Sequence, residues 1–174
     1  MKSFLILIFL TAVSTLAAQT NIQTKEDAFS IYSNLLGGRW EAKGTWEKGQ
    51  EFHQEMEVSL ELTKNIFTVK TFEYNLSGQF DNFQRNYGIR AWDKQEKQMK
   101  FWEFDVLGGI ISGEVLFNGN DIYHVYQYPN GQGKTLSLAD AWIYVDKDTY
   151  TFRVCEFVDG KLGKDYMSSI FKRK

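Results

Sequence analysis

Residues 51–62, EFHQEMEVSLEL, alternate with a period of two. Phe52, Met56, Val58, Leu60 and Leu62 fall on one side with Gln54, and Glu51, His53, Glu55, Glu57, Ser59 and Glu61 fall on the other. Because a strand turns successive side chains to opposite faces, this pattern predicts a β-strand with one apolar and one wet face. Comparable runs occupy 38–47, 65–74, 82–92, 99–106, 110–117, 121–128, 134–145, 150–158 and 162–172, which makes ten strands in all. Turn-forming residues separate them, among them Lys48-Gly49, Gly108-Gly109, Asn118-Gly119 and Asp159-Gly160. One helix is predicted ahead of the strands, over 25–36. Thr24 with Asp27 three residues on reads as an N-cap pair, Phe29, Tyr32 and Leu36 recur at helical spacing, and Gly37-Gly38 ends the run.

The links are too short for the crossover that a parallel return needs, so the strands are expected to be antiparallel. The one proline, Pro129, falls in a predicted turn and leaves every ladder free to pair. An open meander of this length exposes two edges, and closure removes them. The expected fold class is therefore all-β: an antiparallel up-and-down barrel of about ten strands with one short N-terminal helix, with a β-sandwich as the alternative. A barrel of that size need not fill with side chains, so a cavity is expected.

The first residues change the expected location. Lys2, an apolar run from Phe4 to Val13 and small residues ending in Ala17-Ala18 match a secretory signal peptide over 1–18. The run is short for a membrane span, so stable membrane insertion is not expected and the product is placed in the periplasm or outside the cell. A 19–37 segment carrying the helix and a 38–174 barrel domain complete the organisation. Removing Lys2 with the leader leaves 19 basic against 22 acidic side chains, a net charge of −3. That balance argues against a nucleic-acid partner. The single Cys155 cannot make an internal disulfide, has no His or Lys beside it, and reads as a small apolar filler.

Little in the chain offers reaction chemistry. Gly133-Lys134-Thr135 ends as a phosphate-binding loop ends, but Tyr128 stands where that motif needs glycine. No Gly-x-Ser-x-Gly elbow is present, so no catalytic residue is assigned. Two histidines and one cysteine make a poor ligand set, so no metal, haem or other cofactor is expected. His53 sits on a wet face. His124 shares a face with Ile122, Tyr126 and Tyr128, where it is either a satisfied core group or a ligand contact.

The stretches LLGGRWEAKGTW, YGIRAWDKQEKQMKFWEFD and TYTFRVCEFVDGKLGKDYMSSIFKRK resemble the secreted bacterial lipocalin-like domains of the calycin barrels, most without an assigned role. More distantly, the chain is similar to nitrobindin-like and fatty-acid-binding-like barrels. Gly38-Arg39-Trp40 resembles the lipocalin Gly-x-Trp start, in which the tryptophan closes the barrel floor. The resemblance implies carriage of a small hydrophobic ligand. Nitrobindin-like relatives hold haem through a histidine in the last strands, and DYMSSIFKRK has none, so haem binding is not implied here.

On the strand pattern, Trp40 and Trp46 share a face with only Ala42 and Gly44 between them, which suggests a hollow floor. Trp92, Trp102, Tyr126 and Trp142 are expected to line the walls, and Arg90 and His124 to orient a polar or anionic head group. If Arg90 and Asp140 face inward, the guanidinium needs a carboxylate from the protein or from a ligand. Three readings remain: a monomeric carrier of a small hydrophobic or amphipathic molecule, which leads; a cell-envelope interaction domain with a filled core; and, least favoured, an enzyme using interior acid and base groups.

Overall fold

The computed structural model describes residues 22, 24–45, 51–74, 83–131 and 133–174. The expected signal peptide, Trp46, the Lys48-Gly49 turn and the 75–78 turn lie outside these residues. Helix α1 runs over Lys25–Tyr32 and tightens into a 3-10 turn at Ser33–Leu35. The strands are β1 (Arg39–Thr45), β2 (Glu51–Glu61), β3 (Ile66–Tyr74), β4 (Phe83–Asp93), β5 (Gln98–Asp105), β6 (Ile110–Asn118), β7 (Asp121–Pro129), β8 (Thr135–Asp146), β9 (Thr149–Val158) and β10 (Lys161–Arg173).

Each strand pairs antiparallel with its sequence neighbours, and β10 returns to β1, so the ten strands form a closed barrel. The barrel, not the sandwich, is the fold. Closure joins Trp40 to Arg173 and Glu41 to Lys172, and the Lys174 amide donates to the Arg39 carbonyl at 2.8 Å. Pro129 is the last residue of β7, opposite Thr135, rather than a turn residue. At a strand end its missing N–H costs the ladder little.

The alternation in β2 is as expected on the inner face, where Phe52, Gln54, Met56 and Val58 are buried. The outer face is less uniformly wet than the pattern implies. Glu55 is only 2% exposed, roofed by Arg39, Tyr74 and Lys174, each of which donates to its carboxylate. On the outer side of β7–β9, Ala139, Ala141 and Cys155 form a small buried patch beneath Tyr123. There the Cys155 thiol packs against the Ala139 carbonyl, and burial raises its pKa, which suits a filler and not a nucleophile.

Helix α1 closes one end of the barrel. Thr24 caps it by accepting from the Asp27 amide at 3.1 Å, while its hydroxyl donates to the Asp27 carboxylate at 2.6 Å. Ala28, Tyr32 and Leu35 are buried with the barrel core, and the Tyr32 ring tilts against Phe67 at 4.8 Å. Trp40 lies fully buried at this end, its indole N–H donating to the Leu35 carbonyl at 2.9 Å and the Arg173 guanidinium 4.3 Å above its ring. The end of β10 is thereby tied to the floor. Arg173 also donates to the carbonyls of Asn34, Leu36 and Gly37, which are left over where the 3-10 turn ends.

Candidate functional site

A cavity of about 220 Å³ occupies the barrel above this floor. Its floor is Tyr32 and Leu35, and its apolar walls include Met56, Val69, Trp142, Phe152, Val154 and Phe171. The other side is polar, and the register explains why. Antiparallel pairing sets Gly88 opposite Glu103, Arg90 opposite Phe101, and His124 opposite Asp140. Asn86, Gly88 and Arg90 therefore share the inner face of β4 with Glu103 beside them.

Arg90 is 5% exposed and its Nη2 donates to Glu103 Oε2 at 2.6 Å. The carboxylate that a buried guanidinium requires thus comes from the protein. Burial works against the Arg90 charge, but Tyr32 and Glu103 outweigh it and the guanidinium stays firmly cationic. Glu103 is held from its other oxygen by the Asn86 side-chain amide at 3.0 Å. Gly88 makes room for this pair, since a Cβ there would overlap Arg90 Nη1 and stand 2.7 Å from Glu103 Oε2.

His124 is enclosed and its tautomer follows from its neighbours. Its Nδ1 lies 3.3 Å from the Asp140 carbonyl, which can only accept, so Nδ1 carries the proton. Nε2 then accepts from Arg90 Nε and from the Tyr32 hydroxyl, both at 3.3 Å. Burial, reinforced by the Arg90 charge, holds the His124 pKa well below its ordinary value, so the ring is neutral. Phe101 meets it edge-on at 5.1 Å.

Asp140 differs from the other charged residues of the interior. Its Oδ1 accepts from the Tyr126 hydroxyl at 3.0 Å, and among the described residues no cation ion-pairs with its carboxylate. Burial pushes its pKa up to about 7, against the opposing bond from Tyr126, so the acid titrates near neutrality. Arg90, carrying one positive charge, is already matched by Glu103, which leaves Asp140 as the uncompensated acid of the cavity.

Of the residues expected to form the site, Arg90, His124 and Trp142 line the cavity. Tyr126 is buried and reaches the cavity through its bond to Asp140. Trp40 belongs to the packed floor, and Trp92 is half-buried opposite Met99. Trp102 is a correction: with Arg90 opposite Phe101, residue 101 points inward and Trp102 points outward, 39% exposed. The hollow floor beside Ala42 and Gly44 is a second correction. A Cβ on Gly44 would meet the Phe52 ring at 2.7 Å, so that space is filled and the cavity lies higher. Tyr32, Asn86, Gly88 and Glu103 were not singled out from the sequence. The one available signal was Asn86-x-Gly88-x-Arg90, a glycine between two polar residues on a single strand face.

His53 is a third correction, since it is not simply solvated. Its ring stacks on Tyr74 at 4.5 Å, and Nε2 bonds Glu41 at 2.7 Å. Glu41, His53 and Glu55 bring three ligand atoms within 4.8 Å of one another. Lys43 and Lys174 already take Glu41 at 3.0 and 3.3 Å, and Lys174 and Arg39 take Glu55. The Lys43 bond leads in holding Glu41 down at about 2. A cation entering here would have to displace those ammonium groups, so the cluster reads as an ion network across β1, β2 and the end of the barrel.

No protein-family model and no curated protein matches the chain. Among solved structures, it is similar to a chain described as the de novo design of a fluorescence-activating β-barrel, at 12% identity and a TM-score of 0.36. The match covers 82% of this chain and 96% of that one.

Proposed function

We propose that this protein is an exported, calycin-type carrier that holds one small amphipathic molecule inside its barrel. The observation that carries the reading is the cavity itself, apolar along β9, β10 and Trp142 of β8, and polar at Asn86, Arg90, Glu103, His124 and Asp140. Pockets for drug-sized ligands run from about 300 to 1,000 Å³, and an apolar cavity of about 150 Å³ accepts benzene. At about 220 Å³ the space suits a single ring or a short chain with one polar end, not a long acyl chain. Trp142 and Phe152 supply flat apolar area, and the polar wall fixes the orientation of the head group.

Native mass spectrometry of protein taken directly from cells, joined to intrinsic tryptophan fluorescence with a panel of small aromatic and short-chain molecules, tests this. Val154 borders the cavity, so Val154→Phe should abolish binding while the fold persists. A wild type that carries and binds nothing, with Val154→Phe merely lowering the melting temperature, would defeat the carrier reading in favour of a filled interaction domain.

A further inference from the structure

We propose that the molecule held in the cavity is a small aromatic amine, bound as its ammonium ion by the Asp140 carboxylate against Trp142. This rests on the carrier reading and names its ligand class. Glu103 and Asp140 share the cavity lining with two guanidinium groups, Arg90, which pairs with Glu103 and bonds His124, and Arg85, which pairs with Glu73 at 2.9 Å. Among the described residues the Asp140 carboxylate accepts one hydrogen bond, from Tyr126, and it borders the cavity. A buried carboxylate without a cation is costly, and a cationic ligand removes that cost.

An anionic head group finds the opposite situation. Arg90 keeps one buried N–H without a partner, at Nη1, but its charge is matched by Glu103, and the Asp140 carboxylate repels an anion.

The walls give the rest of the ligand. Asp140 and Trp142 share the inner face of β8, opposite Val154 and Phe152 of β9. Trp142 also meets Phe171 at 4.9 Å. An ammonium at Asp140 therefore has Trp142 as its neighbour on the same strand face, an aromatic group of the kind that favours cations, and its carbon body continues along apolar wall. The volume leaves room for one ring and a short linker.

The groups that face Asp140 are Tyr126 and His124 of β7, Glu103 of β5 and Arg90 of β4, while β9 contributes the apolar Val154. Arg90 remains cationic and His124 neutral, and Glu103 is held in its pair with Arg90. The affinity for an ammonium ion should consequently follow ionisation of Asp140 and rise with pH through neutrality.

Calorimetric titration with phenethylamine, phenethyl alcohol and hydrocinnamate, three probes of similar shape and different charge, tests the proposal. Phenethylamine should bind roughly ten- to hundredfold more tightly than the alcohol, the range of a charge-assisted hydrogen bond, and hydrocinnamate least well. The preference should shrink when the pH is lowered from about 8 to about 5.5, where Asp140 is protonated. Asp140→Asn should erase the preference while alcohol binding persists, and the alcohol serves as the control that the cavity is still formed. The wild-type pH profile tests the same point without any variant. Equal or tighter binding of the alcohol or the acid overturns the amine assignment and leaves the carrier reading standing. Binding of none of the three overturns both.

Discussion

Gly88 leaves the space that the buried Arg90–Glu103 pair occupies. Replacing a strand glycine by alanine ordinarily helps, by roughly 0.5–1 kcal/mol, because it removes backbone freedom from the unfolded chain. Here the added Cβ would push into Arg90 Nη1 and crowd Glu103, separating a buried pair. Gly88→Ala should therefore cost about 3–5 kcal/mol, the cost of breaking such a pair, seen as a large fall in the urea midpoint. An unchanged or raised midpoint would show that the guanidinium has somewhere else to go.

The two titrating groups beside this pair oppose one another in their effect on stability. Asp140 has a raised pKa of about 7, so between about pH 5 and 6.5 the native state holds a proton that the unfolded state has lost, and stability falls as pH rises. His124 has a depressed pKa, so over the same window the unfolded state holds the extra proton, and stability rises with pH. The two slopes have opposite signs and should offset one another in the wild type. Asp140→Asn removes the first and leaves the second, so its unfolding free energy should climb by up to about 2 kcal/mol from pH 5 to 6.5 while the wild type stays level. Denaturant melts across that range check the prediction, and a flat Asp140→Asn profile would refute it.

At the scale of elements, period-two alternation made the strands legible, because one face of each is buried and a slip of one residue would expose it. The site was legible only in part. In QMKFWEFD both faces carry aromatics, Phe101 on one and Trp102 with Phe104 on the other, so the pattern alone did not say which face is inside. Pairing with β4 decides it, by placing Phe101 against Arg90. Glu103 could not be recognised as the partner of Arg90 for the same reason: partnership across strands is a property of register, which no local pattern contains. Helix α1 was predicted, but its tether was not. Arg173 holds the carbonyls of Asn34, Leu36 and Gly37 while stacking over Trp40, four contacts that need a planar fork. Lysine keeps the charge and loses the fork, so Arg173→Lys should still lower stability by about 2 kcal/mol. Amide exchange in residues 25–36 should accelerate more than in β5–β7, and uniform acceleration would instead mean that the tether holds the whole barrel.

For the whole molecule, the ladder that shuts the ring joins residues far apart in the sequence, Trp40 with Arg173 and Glu41 with Lys172. Nine of the ten strand pairs are hairpin neighbours and can form as the chain emerges, whereas the tenth pair must wait for β10. Until then the sheet has two open edges and an apolar inner face turned to water, the condition most prone to strand-by-strand association. The same residue that pairs with Trp40 also secures the helix, so the floor and the wall are completed in one event. A chain that stops short of Arg173 is consequently not a slightly weakened barrel but an unfinished sheet, recognisable as such to any protease that cleaves exposed apolar segments. The seam acts as a checkpoint on synthesis: only a polypeptide carried through to its tenth strand can hide its own interior.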